Sequence, residues 1–266
     1  MLSQIHMAKS ATFSFERKLM TISDNVANAQ TVGYKQKRVE FENLFPLVLS
    51  RAVTEFEDAN IPVGKRRKKF FEYGQGVRIA AITKDMRQGT IEVTNRALDI
   101  AVQGKGFLQF RLPDGRIAYT RAGNLHQDNE GNLTNTNGHL IEPSIRLPQN
   151  TTDLIINEQG KVYAQVNNEA QPQQVGQITL AIFPNEEGLV SMGQNLYRET
   201  AASGLANLET PGSNAAGTVK QRALEFSNVN VIEQLISMLT LQRTFDVSMK
   251  AIKSADEILK SGADIK

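Results

Sequence analysis

Residues 231–259 read VIEQLISMLTLQRTFDVSMKAIKSADEIL, and their spacing decides how the rest of the chain is read. Val231, Met238, Phe245, Ile252 and Leu259 recur every seventh residue, interleaved with Leu235, Gln242, Met249 and Asp256. Alternating steps of four and three place these residues on one stripe of a helix, the seam of a coiled coil. Ile232, Ile236, Leu239, Leu241 and Ile258 flank the stripe, so the helix is apolar on more sides than a single partner covers. The N-terminal region carries the same signal in Ile5, Thr12, Leu19 and Val26, interleaved with Ala8, Phe15, Ile22 and Ala29. Phe13 lies off that narrower stripe, placed for a further neighbour. Helices of this kind at both ends pair with each other, pack against other copies, or do both.

The first helix is expected over 2–29, with Gly33 as its stop signal, and the last over 231–260, followed by Gly262. Asn228 or Asn230 is the N-cap of the last helix, and Glu233 complements its first turn. Between 85 and 198 the pattern changes to short β-rich stretches at 98–103, 107–111, 117–121, 154–156, 161–165 and 178–183. Turn chemistry separates them at Pro113–Asp114–Gly115, Asp128–Asn129–Glu130–Gly131, Asn137–Gly138 and Gln159–Gly160. This spacing predicts an all-β domain of sandwich or partial-barrel type. A Gly-, Ala- and Asn-rich stretch, 201–217, reads as the start of an extended return linker.

The segment 45–73 is of another kind. Glu55, Glu57 and Asp58 precede a reversal at Asn60–Ile61–Pro62–Val63–Gly64. Then come Lys65–Arg66–Arg67–Lys68–Lys69 and the aromatic residues Phe70, Phe71 and Tyr73. Folding back at the reversal sets acidic residues opposite basic ones, a pairing that favours a β-hairpin arm.

Composition narrows the function classes. The chain has 266 residues, 40% of them hydrophobic, enough for more than one domain. A net charge of +2 gives no global field for nucleic acid or membrane surfaces. With no cysteine there is no disulfide, thiol chemistry or thiolate metal site. Gln4, His6, Lys9 and Ser10 break up the first apolar residues, so neither a cleaved leader nor membrane insertion is expected.

The candidate sites are weighed on the same terms. Asn25 and Asn28 read either as residues that satisfy the last turn of a helix or as a fixed junction. Gly104–Lys105–Gly106–Phe107 lacks the full phosphate-loop spacing and a following helix, and reads as a tight turn between strands. The basic run 65–69 follows an acidic block in a nearly neutral chain, which favours an electrostatic role within or between subunits. His6, His126 and His139 form no metal-spaced cluster, and no nucleophile–base arrangement stands out. No catalytic residue, metal or cofactor is therefore expected. Gln242 and Asp256 interrupt the seam, either tolerated at its edge or fixing its register.

Ser23–Asp24–Asn25–Val26–Ala27–Asn28–Ala29, followed by Thr31, Gly33, Tyr34 and Lys35, resembles the N-terminal signature of the bacterial flagellar rod and hook protein family. Ala101–Val102–Gln103–Gly104–Lys105–Gly106–Phe107 with Tyr119–Thr120–Arg121–Ala122–Gly123 resembles its central β-domain motif. Ser227–Asn228–Val229–Asn230–Val231 with Gln242–Arg243–Thr244–Phe245 and Lys250 resembles its C-terminal motif. Phe41–Glu42–Asn43–Leu44, Val175–Gly176–Gln177, Gly193–Gln194–Asn195–Leu196–Tyr197 and the length point to the distal segment of the rod. The charged blocks within 46–71 depart from the polar, uncharged insertion usual there.

The resemblance implies an α+β, multi-domain subunit. Residues 1–32 and 226–266 would pair as a coiled coil lining a tube. Residues 33–84 would connect through the hairpin arm, 85–200 form the central β-domain, and 201–225 return the chain. Packing falls to Ile5, Phe15, Leu19, Ile22, Val26, Val231, Leu235, Met238, Phe245, Met249, Ile252 and Leu259. Arm contacts fall to Glu57, Asp58, Arg66, Arg67, Phe70, Phe71 and Tyr73. Asn25, Asn28, Thr31, Gly33, Tyr34, Asn228, Asn230, Gln242 and Arg243 are the matched motif residues. The implied function is a helical tubular drive shaft crossing the periplasm in the basal body, with no enzymatic step. Its implied partners are further copies, the proximal-rod and hook-side proteins, the ring proteins of the bushing and the flagellar type III export apparatus. The competing readings are a proximal rod or hook subunit, and a monomeric β-domain binding or enzymatic module with a helical clasp.

Overall fold

A computed structural model of the chain describes residues 2–51, 69–166 and 171–263. The architecture is α+β, with two long helices, α1 (Leu2–Ala27) and α2 (Val231–Ala263), at the ends of a β-rich chain. Neither proline nor glycine interrupts either helix until Gly262, inside the last turn of α2, which therefore runs slightly past its expected stop. The residues divide into two units. One comprises Met1–Ser23, Arg38–Thr83 and Leu235–Lys266, the other Asp24–Lys37 and Lys84–Gln234.

In the first unit, Phe15 and Leu19 of α1 and Leu241 and Phe245 of α2 line one groove. The inward row of α2 runs through Met238, Leu241, Phe245, Ser248 and Ile252. Met238, Phe245 and Ile252 are seam positions expected from the heptads. At the intervening step Leu241 is buried and Gln242 is exposed, because turning the helix slightly replaces a polar residue by an apolar one at the contact. Val231 and Leu235, expected in the seam, are exposed. Met249 is half-buried, as are Phe15, Leu19 and Val26 of α1, where Ile22 is buried. The side chains of Ile5, Asp256 and Leu259 lie outside those described.

Hydroxyl groups recur along both helices. Ser14 and Thr21, buried on α1, donate to the carbonyls of Ser10 and Arg17 at 2.8 and 3.0 Å. On α2, Thr240, Thr244 and Ser248 donate at 2.9 Å to Ile236, Thr240 and Thr244. Each such bond satisfies the side chain within its own helix.

The same unit holds paired strands. Lys37–Asn43 pairs with Val77–Lys84, and Leu47–Arg51 pairs antiparallel with Lys69–Tyr73, from Leu47 opposite Tyr73 to Arg51 opposite Lys69. The amide of Leu44 donates to Gly76 O at 3.0 Å between the two pairings. Phe70, Phe71 and Tyr73 belong to the returning strand. Glu57, Asp58, Arg66, Arg67 and the reversal expected at 60–64 lie outside the described residues.

The second unit is built on a seven-stranded antiparallel sheet. Its order is Val190–Gly193, Leu196–Arg198, Ile117–Thr120, Leu108–Arg111, Leu140–Glu142, Leu133–Thr134 and His126–Gln127. A three-stranded sheet of Thr151–Ile156, Lys161–Val166 and Gln173–Gln177 contributes to the same core, where Ile100, Leu108, Phe110, Leu133, Ile141, Val162 and Leu180 are fully buried. Every strand expected from the sequence is present within a few residues. Residues 201–225 differ from the linker expected there. They contain Asn207–Glu209, Thr218–Gln221 and Ala223–Glu225, which pair with Leu180–Ile182, Ile100–Gln103 and Ile91–Val93. Strands this short carry too little periodicity to stand out beside glycine-rich turns.

A second cluster centres on Phe107, Tyr119, Phe183 and Tyr197, packed edge to face with ring centroids 4.8–6.1 Å apart. The turn at Gly104–Lys105–Gly106 delivers Phe107 into this cluster and leads into the strand Leu108–Arg111, with no helix behind it. Gly106 has φ of +128°, and a Cβ there would lie 2.9 Å from the Leu180 side chain. Gly138, in an exposed turn with φ of +80°, has open space around it. Gly106→Ala is therefore expected to cost about 3 kcal/mol, from backbone strain plus overpacking, and Gly138→Ala about 1 kcal/mol from strain alone. Urea denaturation of the two variants checks this, and equal losses would contradict it.

Candidate functional site

The residues of the N- and C-terminal signatures converge in the second unit as a polar junction that includes the last turn of α1 and the first turn of α2. Asn25 is its centre, with 1% of its surface exposed. Its Nδ2 donates to Lys37 O at 2.8 Å and to Gln234 Oε1 at 3.3 Å. Its Oδ1 accepts from the Lys37 amide at 2.9 Å and from the Tyr34 hydroxyl at 3.2 Å. Two donors and two acceptors are all that a carboxamide has, and all four are used.

Asn28, three residues on, has the other role considered for the pair. Its Nδ2 donates to the Asp24 carbonyl at 2.9 Å and to Asp24 Oδ1 at 3.0 Å, satisfying the end of the helix. Its Oδ1 accepts from the Thr31 hydroxyl at 3.2 Å. Asn25 thus joins segments distant in sequence, whereas Asn28 closes its own turn. Gly33 follows with φ of +69°, and a Cβ there would lie 2.5 Å from the Ala122 amide nitrogen. Only glycine meets both the left-handed backbone and that approach without strain. The Gly33 amide donates to Glu225 O at 2.8 Å.

The C-terminal asparagines divide in the same way. Asn228 Oδ1 accepts from the Gln36 amide at 2.8 Å, and its Nδ2 donates to the carbonyls of Asp85 and Arg87 at 2.9 and 3.0 Å. Asn230 is the N-cap of α2, its Oδ1 accepting from the amides of Ile232 and Glu233 at 3.1 and 3.3 Å. Gln242 and Arg243 belong to the other unit and play no part in the junction.

Beside these amides lies a cluster of charges removed from water. Lys35, Arg121 and Glu225 are 1%, 2% and 0% exposed. Lys35 Nζ is 2.6 Å from Glu225 Oε1 and donates to Arg87 O at 2.7 Å. Glu225 Oε1 also accepts from the Gly89 amide at 3.0 Å, and Oε2 lies 3.5 Å from Arg121 Nη1. The Arg121 guanidinium sits 5.0 Å from the centroid of the Phe107 ring, while its Nε has no hydrogen-bond partner. Burial pushes the Lys35 ammonium below its ordinary value, against the opposing pull of Glu225, and burial likewise lowers Arg121.

At the edge of the junction Lys37 Nζ lies 2.6 Å from Asp24 Oδ2, and this hydrogen bond is the main cause holding the Asp24 carboxyl below the usual carboxylate range. The Tyr34 phenol is pushed well above its ordinary value, first by burial and then by Asp24. Asp24, Lys35 and Arg121 stand within the quoted motifs but had no role assigned to them, and Lys37, Glu225 and Gln234 were not singled out. The clearest signal is Glu225 itself, a carboxylate between apolar neighbours in Ala223–Leu224–Glu225–Phe226.

Chemically, these groups tie together segments that are distant in sequence. An open cleft of about 540 Å³ shares Arg121 with the cluster and is lined by Asp85–Met86–Arg87–Gln88, Gly104, Lys105 and residues 183–187. Its lining carries charges of both signs, Asp85, Glu186 and Glu187 with Arg87, Lys105 and Arg121. Among the described residues no three histidine or acidic side chains are grouped to hold a metal ion.

Two outcomes follow for the junction. Glu225→Gln leaves two buried cations without a counter-charge and is expected to cost about 3–5 kcal/mol in urea denaturation. Asp24 has a lower pKa folded than unfolded. Its contribution is complete above the unfolded value, about 4, and is lost as the pH falls through the lower folded value. Asp24→Asn is expected to flatten stability against pH below about 4. A variant that tracks the parent throughout the acid range would contradict this.

Three sequence families match the chain in order. Residues 5–35 match the flagella basal body rod protein family, residues 101–164 the flagellar hook protein FlgE/F/G D1 domain, and residues 220–265 the flagellar basal body rod FlgEFG protein C-terminal family. The flagellar basal-body rod protein FlgG of Caulobacter vibrioides is 38% identical over 267 residues, covering 100% of both chains. FlgG of Bacillus subtilis is 34% identical over 271 residues, again covering 100% of both. The flagellar hook protein FlgE of Salmonella typhimurium is 35% identical over 178 residues, covering 65% of this chain and 39% of its own. With its end-to-end similarity to these rod proteins, the chain belongs to the flagellar basal-body rod protein FlgG family.

Proposed function

We propose that the protein is a structural subunit of the distal rod of the flagellar basal body, a helical tubular polymer that carries torque from motor to hook. The observation that carries this reading is the alignment with FlgG proteins over the entire length of both chains. The hook reading is weaker, since similarity to FlgE leaves more than half of that protein unmatched.

The surface of the helices supports a polymer. Ile232, Ile236, Leu239 and Val247 on α2, and Phe13 and Met20 on α1, are each more than half exposed. A monomer keeps so much apolar helix surface only where it has partners to cover it. In this reading α1 and α2 pair as a coiled coil lining the tube. Residues 33–84 form the connecting segment with a hairpin arm, 45–73, that contacts neighbouring subunits, with Glu57, Asp58, Arg66, Arg67, Phe70, Phe71 and Tyr73 as its contacts. The β-rich unit faces outward to the ring proteins of the bushing. The subunit crosses the membrane through the flagellar export apparatus, resides in the periplasmic rod, and meets the proximal rod at one end and the hook side at the other. It performs no chemical step.

Electron cryomicroscopy of purified basal bodies tests this. Side-chain density for this sequence in the distal rod, with loss of hook and filament on deletion, is the expected result. Density in that position that fits a paralogue would reassign the subunit along the shaft, and intact motility in the deletion strain would remove the role.

A further inference from the structure

Resting on the polymer reading, the geometry of the first unit points to one specific contact between copies. We infer that the Phe13 ring of one copy inserts into the groove between α1 and α2 of the next.

The groove is lined by Phe15, Leu19, Leu241 and Phe245, with Glu16, Gln242 and Asp246 on its rim, and its volume is about 150 Å³. An apolar cavity of that size accepts a benzene molecule, so the opening matches one phenyl ring. The groove cannot be filled by its own Phe13. Residues 13 and 15 are two positions apart on α1, about 200° around the helix, and project to nearly opposite sides.

Among the side chains described in the first unit, the exposed rings are Phe13 at 55%, Phe41 at 39% and Phe45 at 95%; those of Phe70, Phe71 and Tyr73 lie outside that set. Phe41 also lies beneath a cation, Lys18 at 5.7 Å, but it is the least exposed of the three. Phe45 is the most exposed, but among the described residues no cation lies over its ring to face the acidic rim of Glu16 and Asp246. Phe13 combines both properties: it is more than half exposed and carries the guanidinium of Arg17, 5.4 Å from its centroid. Insertion sets that cation against the two acidic rim residues, so apolar fit and charge agree on the same ring.

The arrangement also has the right symmetry. Knob and hole lie on different faces of one chain, so each copy offers both and neither is used up in a closed pair. A contact of this kind is heterologous, and it propagates as an open helix unless its rotation happens to close.

The test replaces Phe13 in the full-length chain with p-benzoylphenylalanine and assembles a mixture of isotopically light and heavy copies. Irradiation is expected to join light to heavy chains at peptides containing 15–19 or 241–246. Crosslinks confined to other segments, or to the same copy, would overturn the contact while leaving the polymer intact. Phe13→Ala is expected to raise the concentration needed for polymerisation about tenfold without changing monomer denaturation. Arg17→Glu is expected to act in the same direction and to be rescued by Asp246→Arg. Unchanged polymerisation in both single variants would also overturn the contact. If the unsubstituted chain forms no polymer under the same conditions, both the contact and the polymer reading fall.

Discussion

A lysine, a glutamate and an arginine taken out of water together are the constraint that the rest of the β-rich unit must meet. Burying Glu225 is tolerable only because Lys35, Arg121 and the Gly89 amide converge on it. Each of those groups belongs to a different stretch of chain, so the requirement fixes long-range topology rather than a local turn. Lys35 must leave the end of α1 in an extended path, which Gly33 permits through its left-handed backbone. Glu225 must close its strand immediately before α2, and Asn228 and Asn230 then turn the chain into the helix. The amide network of Asn25 adds direction, because four saturated hydrogen bonds exclude neighbouring registers that would leave a buried donor unpaired.

Much of this was legible in the residues, and the limits have physical causes. The two long helices announced themselves because their period persists over many turns. The strands with strong alternation, such as Lys161–Val166, were equally plain. The short strands of 201–225 were not, since three residues cannot establish a period and their pairing is decided by distant partners. On α2 the sequence offered two adjacent rows, and tertiary packing chose the one through Leu241 over the one through Gln242. At the junction, Asn25 and Asn28 look alike in the sequence, yet one binds across the fold and the other within its own turn. Only the position of Lys37 and Gln234 distinguishes them, and no local pattern encodes that.

The molecule divides its chemistry between two kinds of unit. The β-rich unit meets most of its own demands, with a saturated Asn25 amide, a paired carboxylate and a buried apolar core. The helical unit leaves a large part of its apolar surface in water. Such a division suits a structural rod subunit, since the burial still available to the helices is realised only on association.

The hydroxyl rows on the helices bear on the same balance. Thr240, Thr244 and Ser248 look polar, but each has already given its proton to a carbonyl of its own helix. A side chain bonded in this way demands little from solvent, and its dehydration forfeits much less than that of a free hydroxyl. A surface that repels nothing in water, and loses little when water leaves, is wettable and closable at once. Between the exposed apolar residues of α2, these small side chains thus add surface that a neighbouring helix covers at little cost.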